Sequence, residues 1–321
     1  MSFKDIKGQD SAIGFLKNAL EQKRVSHAYI FLGPSGIGKK LTALNFAKAL
    51  NCETDDFAAR PCDKCVSCKK IGAFNHPDVF LLKPEKEGSS IKIDRMRELI
   101  NDIALKTYEG RKKVYIIDDA TQMTQETSNA LLKTLEEPPS DSVIILIVDN
   151  IGEVLKTIAS RAQIVRFHHL PVLEVKRILT QVYKIDEVKA HILSSVTSGR
   201  LGEALRRKSE DFFNKRQEVI DGLMNKTFFD SDFRDVSKEE FGLYLDIMLT
   251  WFRDILIAKV SDYAPGPLVN VDRRDSIISE ARRMSRGDID GIISGIISTG
   301  AFLAENANPK LAMSVLGLRI T

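Results

Sequence analysis

Gly33-Pro34-Ser35-Gly36-Ile37-Gly38-Lys39-Lys40 is a phosphate-binding loop whose last position is wrong. It satisfies G-x-x-x-x-G-K through Lys39, then places Lys40 where Ser or Thr should stand. The apolar run from Ala28 to Leu32 leads into the loop, and Leu44, Ala47 and Leu50 continue it at helical spacing. Strand, glycine loop and helix is the context in which such a match has meaning. Backbone N–H groups of the loop and the following helix N-terminus can hold phosphates, with Lys39 as a point charge. Gly33, Gly36, Gly38, Lys39 and Lys40 are therefore candidate nucleotide-binding residues. The hydroxyl that would hold Mg²⁺ is missing. Thr42 lies roughly 200° around the helix from Lys40 and cannot replace it. A second ammonium at the metal position repels Mg²⁺. The plain alternative is a tight turn with no ligand.

Length and composition bound the rest. A chain of 321 residues has room for roughly two or three domains with real cores. Its 43% hydrophobic and 28% charged content is ordinary for a soluble protein. The net charge of +3 is too small to mark a nucleic-acid wrapper. Val143 to Val148, the longest aliphatic run, is far short of a membrane span, and MSFKDIKGQD lacks the apolar core of a secretory signal. A cytoplasmic protein without membrane contact is expected.

The 4 cysteines all lie between positions 52 and 68. Cys62, Cys65 and Cys68 form C-x-x-C-x-x-C, with Cys52 upstream. In a reducing compartment this clustering favours a metal over disulfides. Four thiolates suit a closed tetrahedral Zn²⁺ site with a structural role. An iron–sulfur cluster and free redox thiols are the alternatives.

Strand and helix signals alternate as far as Phe167. Asp10 is placed to cap a helix carrying Ile13, Leu16 and Leu20. Strands are expected at Val79–Leu82, Lys113–Ile117, Val143–Val148 and Gln163–Phe167, with helices from Asp94 and over Gln125–Glu136, the latter stopped by Pro138-Pro139. Such alternation implies a parallel sheet covered on both faces. Beyond Pro171 only helical patterns remain: Val172–Tyr183, Asp186–Thr197, Arg200–Lys208, then longer stretches broken at Thr227–Ser237 and at Ala264-Pro265-Gly266-Pro267. The expected architecture is an α/β P-loop domain, 1–168, with an inserted cysteine module at 52–68. A small helical lid, 169–208, and an all-α C-terminal domain, 209–321, follow.

Asp118 ends an apolar strand where a Walker B acid reaches Mg²⁺. Asp119 comes next, one methylene shorter than the Glu that orients attacking water in hydrolysing proteins of this architecture. Ser160-Arg161 precedes the last strand, and Arg161 is expected on the carboxyl side of the sheet. There it can serve as an arginine finger on a neighbouring subunit's nucleotide, a device worth about 10³–10⁵ in rate. A solvent-facing arginine is the plain alternative.

Taken together, several segments resemble the AAA+ clamp-loader subunits of bacterial DNA polymerase III, on the delta-prime side of that family. They are His27-Ala28 before the loop, the cysteine module, IDRMREL at 93–99, KVYIIDDA at 113–120, NALLKTLEEPP at 129–139, Ser160-Arg161 and ANPKLAM at 307–313. The resemblance implies a hetero-pentameric ring with gamma/tau-type ATPase and delta subunits. It implies that Arg161 completes a neighbour's ATP site, that Cys52, Cys62, Cys65 and Cys68 hold structural zinc, and that the last helices form a collar. Lys40, Asp119, Val148 and Gly202 stand where hydrolysing members carry Thr, Glu, a polar sensor and an arginine sensor. ATP or ADP binding with weak or absent Mg²⁺, and weak or absent ATPase activity of its own, are therefore expected. The polymerase chemistry belongs to the holoenzyme. The sliding clamp and primer-template DNA would be met through the complex. Arg206-Arg207-Lys208 and Arg273-Arg274 read as solvated faces, and Trp251 as core. The alternatives are an ATP-hydrolysing motor subunit of the same loader and a zinc-dependent DNA-binding module.

Overall fold

The computed structural model describes residues 2–85, 89–230, 233, 236–262, 267–304 and 307–320. Ala264, Pro265 and Gly266 of the expected linker lie outside them. The chain divides into one unit of Met1–Leu170 with Arg200–Gly202, and another of Pro171–Gly199 with Glu203–Thr321.

In the first unit the elements run α1 (Asp10–Glu21), β1 (Ala28–Leu32), α2 (Lys39–Asn51), α3 (Val66–Gly72), β2 (Val79–Leu82) and α4 (Ile93–Ile103). They continue with β3 (Lys113–Ile117), α5 (Gln125–Glu136), β4 (Ser142–Val148), α6 (Lys156–Ala159) and β5 (Gln163–Arg166). The sheet has the order β2-β3-β4-β1-β5, and every pairing is parallel. All residues of β1, β3 and β4 are buried, as near-continuous aliphatic runs require when both faces are covered.

Strand alternation divides these side chains between two cores. Tyr29, Phe31, Val114, Ile116, Val143 and Ile145 face Leu16 of α1 and Phe46 and Leu50 of α2. Ile30, Tyr115, Ile117, Ile144 and Leu146 face Met96 and Leu99 of α4, Leu131 of α5 and Ile158 of α6. Thr124 caps α5, its hydroxyl accepting from the Thr127 N–H at 3.2 Å, while the following prolines prevent continuation.

One boundary departs from expectation. Asp10 is the first residue of α1 rather than its cap, and Gln9 stands at the cap without a side-chain bond to the helix. The Gln9 side chain is used elsewhere: its amide nitrogen donates to the His168 carbonyl at 2.7 Å, and its oxygen accepts from the His168 N–H at 3.2 Å. A buried amide with a long-range partner at each end has no atom left for local capping.

The second unit is helical throughout its described residues: α7 (Val172–Gln181), α8 (Glu187–Val196), α9 (Leu201–Arg206, its first residues belonging to the first unit), α10 (Glu210–Met224), α11 (Lys238–Val260), α12 (Arg274–Arg283), α13 (Arg286–Ala304) and α14 (Pro309–Ile320). Trp251 is core, as expected, packed with Phe241, Met248 and Ile255. Asp254, fully buried on α11, accepts from the backbone N–H groups of Val269 and Asn270 at 2.9 and 2.7 Å. It thereby ties the segment entering α12 onto α11. Among the described residues, no helix is long and apolar enough to cross a membrane.

The first unit has a comparable buried acid. Asp78 precedes β2, and its carboxylate accepts from the N–H groups of Tyr108, Glu109 and Gly110 at 2.7, 2.8 and 2.7 Å. This fixes the loop between α4 and β3. Burial pushes the carboxyl up, but the three N–H donors and nearby His76 outweigh it, so its pKa lies below the ordinary value. A depressed pKa means that the stabilisation is complete above the unfolded value of about 3.9 and is lost as pH falls through the lower folded value. Asp78→Asn turns an NH₂ toward these donors and is expected to lower stability by about 1–3 kcal/mol at pH 7. Urea unfolding at pH 7 and again near pH 3 checks both points, because the gap between the proteins should narrow in acid.

Candidate nucleotide site and cysteine cluster

Parallel pairing sends every strand's following loop to one edge of the sheet. β1 delivers Gly33 there, where its N–H donates to the Val148 carbonyl at 3.2 Å. Gly38, at φ 99°, is the N-cap of α2, and this left-handed turn swings the helix N-terminus onto the loop. Lys39 is 5% exposed. Its ammonium donates to the Gly33 carbonyl, to the Pro34 carbonyl at 2.8 Å and to Asp149 Oδ1 at 2.7 Å. The loop thus holds its own lysine over the place where phosphates would lie, with Asp149 as the internal anion. Thr42 is fully buried and donates to the Gly38 carbonyl at 2.9 Å, so its hydroxyl repairs nothing.

Asp118 follows β3 at the same edge, its N–H donating to the Leu82 carbonyl at 2.8 Å. Lys40 Nζ lies 2.9 Å from Asp118 Oδ2. The two groups that would hold Mg²⁺ are therefore a lysine and an acid already paired with each other. At an effective dielectric of about 20, like unit charges about 4 Å apart repel by roughly 4 kcal/mol, so this residue set does not fit a divalent ion. Asp119 adopts φ 58° and ψ 55°, and its Oδ1 accepts from the Thr121 hydroxyl at 2.6 Å. Its carboxylate is committed to its own turn. Val148 is a fully buried strand residue with no polar group to offer.

Gly202 does more than lack a side chain. Its N–H donates to the Gly36 carbonyl at 2.8 Å, and a Cβ there would stand 2.7 Å from that oxygen. Only glycine allows the turn at 200–202 to approach the loop so closely. Sequence alone did not disclose this packing. Asp149 was also missed, although an acid directly after an apolar strand is the same signal that singled out Asp118.

Arg161 requires a correction. β5 begins at Gln163, which pairs in parallel with Tyr29, whereas Leu32 pairs with Arg166. Arg161 therefore precedes β5 and sits at the amino edge of the sheet, not the carboxyl edge. From Tyr29 to Gly33 the strand rises roughly 13 Å, so Arg161 and its own phosphate loop lie at opposite edges. The strand end that a residue adjoins decides its edge, and Arg161 adjoins the start of β5. Arg161 is held by Glu136 Oε1 at 3.0 Å and by the Thr157 carbonyl at 2.9 Å, with its side chain 37% exposed. Glu136 ends α5 within NALLKTLEEPP, which gives that motif a local physical use.

The four cysteine sulfurs come together as expected, every pair within 4.8 Å. Cys52 follows α2, Cys65 caps α3 and Cys68 lies inside α3. Cys62 Sγ accepts from the N–H groups of Cys65 at 3.3 Å and Lys64 at 3.4 Å, and Cys65 Sγ accepts from Cys68 N–H at 3.4 Å. Burial raises the Cys62 thiol, but these N–H donors outweigh it and bring its pKa down to about 6. Burial, then the Cys65 thiol, pushes Cys68 up. A tetrahedral Zn–S₄ site needs S···S separations of roughly 3.8 Å, and Cys62 Sγ lies 4.0 Å from Cys68 Sγ with every pair within 4.8 Å. Lys48 and Asp63 pair at 2.6 Å beside it, and Ile71 of α3 enters the α2 face of the core.

A parallel sheet bearing a glycine loop and a strand-end acid at its carboxyl edge defines a P-loop-type α/β domain, here followed by an all-helical region. The family model described as "DNA polymerase III, delta subunit" matches residues 8–171. A DNA polymerase III subunit delta' of Bacillus subtilis is 31% identical over 325 residues, covering 97% of this chain and 96% of that protein. Subunit tau of the same organism is 29% identical over 309 residues, covering 87% of this chain but 54% of tau. A solved Thermotoga maritima DNA polymerase III gamma-subunit-related protein aligns with 97% of this chain and 100% of its own at 16% identity, with a TM-score of 0.46. The chain belongs to the delta-prime family of bacterial DNA polymerase III clamp-loader subunits.

Proposed function

We propose that this chain is a largely non-hydrolysing stator subunit of the clamp loader. It would assemble with gamma/tau-type ATPases and delta in a cytoplasmic hetero-pentamer that opens the sliding clamp and loads it on primed DNA. The observation that carries this reading is the Lys40–Asp118 pair at 2.9 Å. Phosphoryl transfer depends on positioning and on metal-borne charge, and this pair takes both of the metal's protein ligands out of use. Asp119, Val148 and Gly202 add three further absences to the same catalytic set.

What the chain offers instead is Arg161. At the amino edge it is remote from its own loop, half-exposed and steered by Glu136, which suits action on an adjacent protomer's nucleotide. A guanidinium there would stabilise charge on the γ-phosphoryl oxygens during transfer. We assign 1–168 to the nucleotide-type domain, 169–208 to a lid and 209–321 to a collar that holds the ring together. Cys52, Cys62, Cys65 and Cys68 would hold zinc as a closed site that fixes the 52–68 module to α2 and leaves no position for chemistry.

Reconstitution with the partner ATPases tests the arginine. With Arg161→Ala, the ring is expected to assemble normally while turnover at the adjacent site falls about 10³-fold; unchanged turnover contradicts the assignment. The cysteine site is checked by elemental analysis, which should find about one zinc per chain, lost in Cys65→Ser. Chelation should accelerate amide exchange across 52–72 while β3 and β4 stay protected. A zinc-free preparation whose exchange is indifferent to chelator contradicts it.

A further inference from the structure

Lys40 is not merely a lost hydroxyl. It is a fixed cation, in the first turn of α2, placed beside the one acid that would otherwise face a metal. We propose that Lys40 takes over the charge role of the divalent ion, so that this loop binds a nucleoside di- or triphosphate in its metal-free form. The inference rests on reading the loop as a non-hydrolysing cradle and names the chemical form of ligand it selects.

An ordinary site of this type divides the polyphosphate charge between the loop lysine and a bound divalent ion. Here the second cation is covalently part of the protein. An ammonium has three donors and no acceptor. Among the described residues, the acceptor of Lys40 is Asp118, at 2.9 Å, leaving the remaining N–H groups to reach phosphate oxygens. The Lys40 side chain is 42% exposed and that of Asp118 25%, so the pair is open to an incoming ligand while staying together. Asp118 holds the ammonium at the end of β3, at the same sheet edge as the loop, just as it would have held the metal. Mg²⁺ carried in on a nucleotide would have to displace that ammonium to reach Asp118, against the repulsion of a like charge.

Lys39 has a separate counter-ion. Asp149 Oδ1 lies 2.7 Å from its ammonium, and the Asp149 side chain is 57% exposed. An arriving phosphate can displace this exposed carboxylate, while the Gly33 and Pro34 carbonyls keep Lys39 aimed at the loop. The two lysines thus have different parts. Lys39 exchanges an internal anion for phosphate, and Lys40 adds phosphate to a pair it already makes.

The test is calorimetric titration of the full-length chain with ATP, in excess MgCl₂ and in excess EDTA. Wild-type affinity in EDTA is expected to equal or exceed that in Mg²⁺, the two agreeing within about twofold or favouring EDTA. Lys40→Thr should restore ordinary behaviour, with binding about tenfold tighter in Mg²⁺ than in EDTA. Lys40→Met should weaken binding in both media, and Lys40→Arg, which keeps the charge should the shorter variants misfold, should retain the wild-type pattern. Wild-type binding that falls about tenfold on removing Mg²⁺ overturns the proposal, as does the absence of binding in both media. Either result is distinguishable from failure of the stator reading, which is judged by partner turnover with Arg161→Ala and by phosphate release from the chain alone.

Discussion

β1 is paired in parallel with β4 on one side and β5 on the other, and that constraint sorts the functional residues. Whatever follows a strand lies at one edge of the sheet, and whatever precedes a strand lies at the other. Gly33 to Lys40, Asp118 and Asp149 all follow strands and meet at the carboxyl edge. Arg161 precedes β5 and lies at the amino edge with Glu136. The glycine loop and the Arg161 guanidinium are thus presented from opposite edges of one sheet.

At the carboxyl edge both lysines find carboxylates within the chain. Lys39 pairs with Asp149 and Lys40 with Asp118, so two cations face two anions without help from a metal. Asp119 is taken by Thr121, and the Gly36 carbonyl by Gly202. Three of the four departures from a hydrolysing site, Lys40, Asp119 and Gly202, are each accommodated by a specific contact, which is how a degenerate loop remains well folded rather than strained. The cysteine module sits apart from this chemistry, packed on the far end of α2 through Ile71.

Local features were legible in the sequence. The glycine loop, the cysteine spacing and the strand-end acid each span a few residues, and the aliphatic runs of β1, β3 and β4 announced a sheet buried on both faces. What required three dimensions was anything set by register or long-range approach. The edge occupied by Arg161 depends on β5 starting at Gln163 and pairing with Tyr29. Gln9 left the helix cap because His168, remote in sequence, offered its side chain two better partners. The closeness of Gly202 to Gly36 joins segments more than a hundred and sixty residues apart, and the Lys39–Asp149 pair likewise crosses β4 and β1. The convergence of the four cysteines, by contrast, was readable because they are neighbours in the chain.

The central claim is that the phosphate loop persists without the means to cleave its ligand. Phosphate release by the isolated full-length chain, supplied with ATP and Mg²⁺, tests it most directly. Release indistinguishable from that of a Lys39→Ala variant is expected. Sustained turnover by the wild-type chain that vanishes in the variant would contradict it.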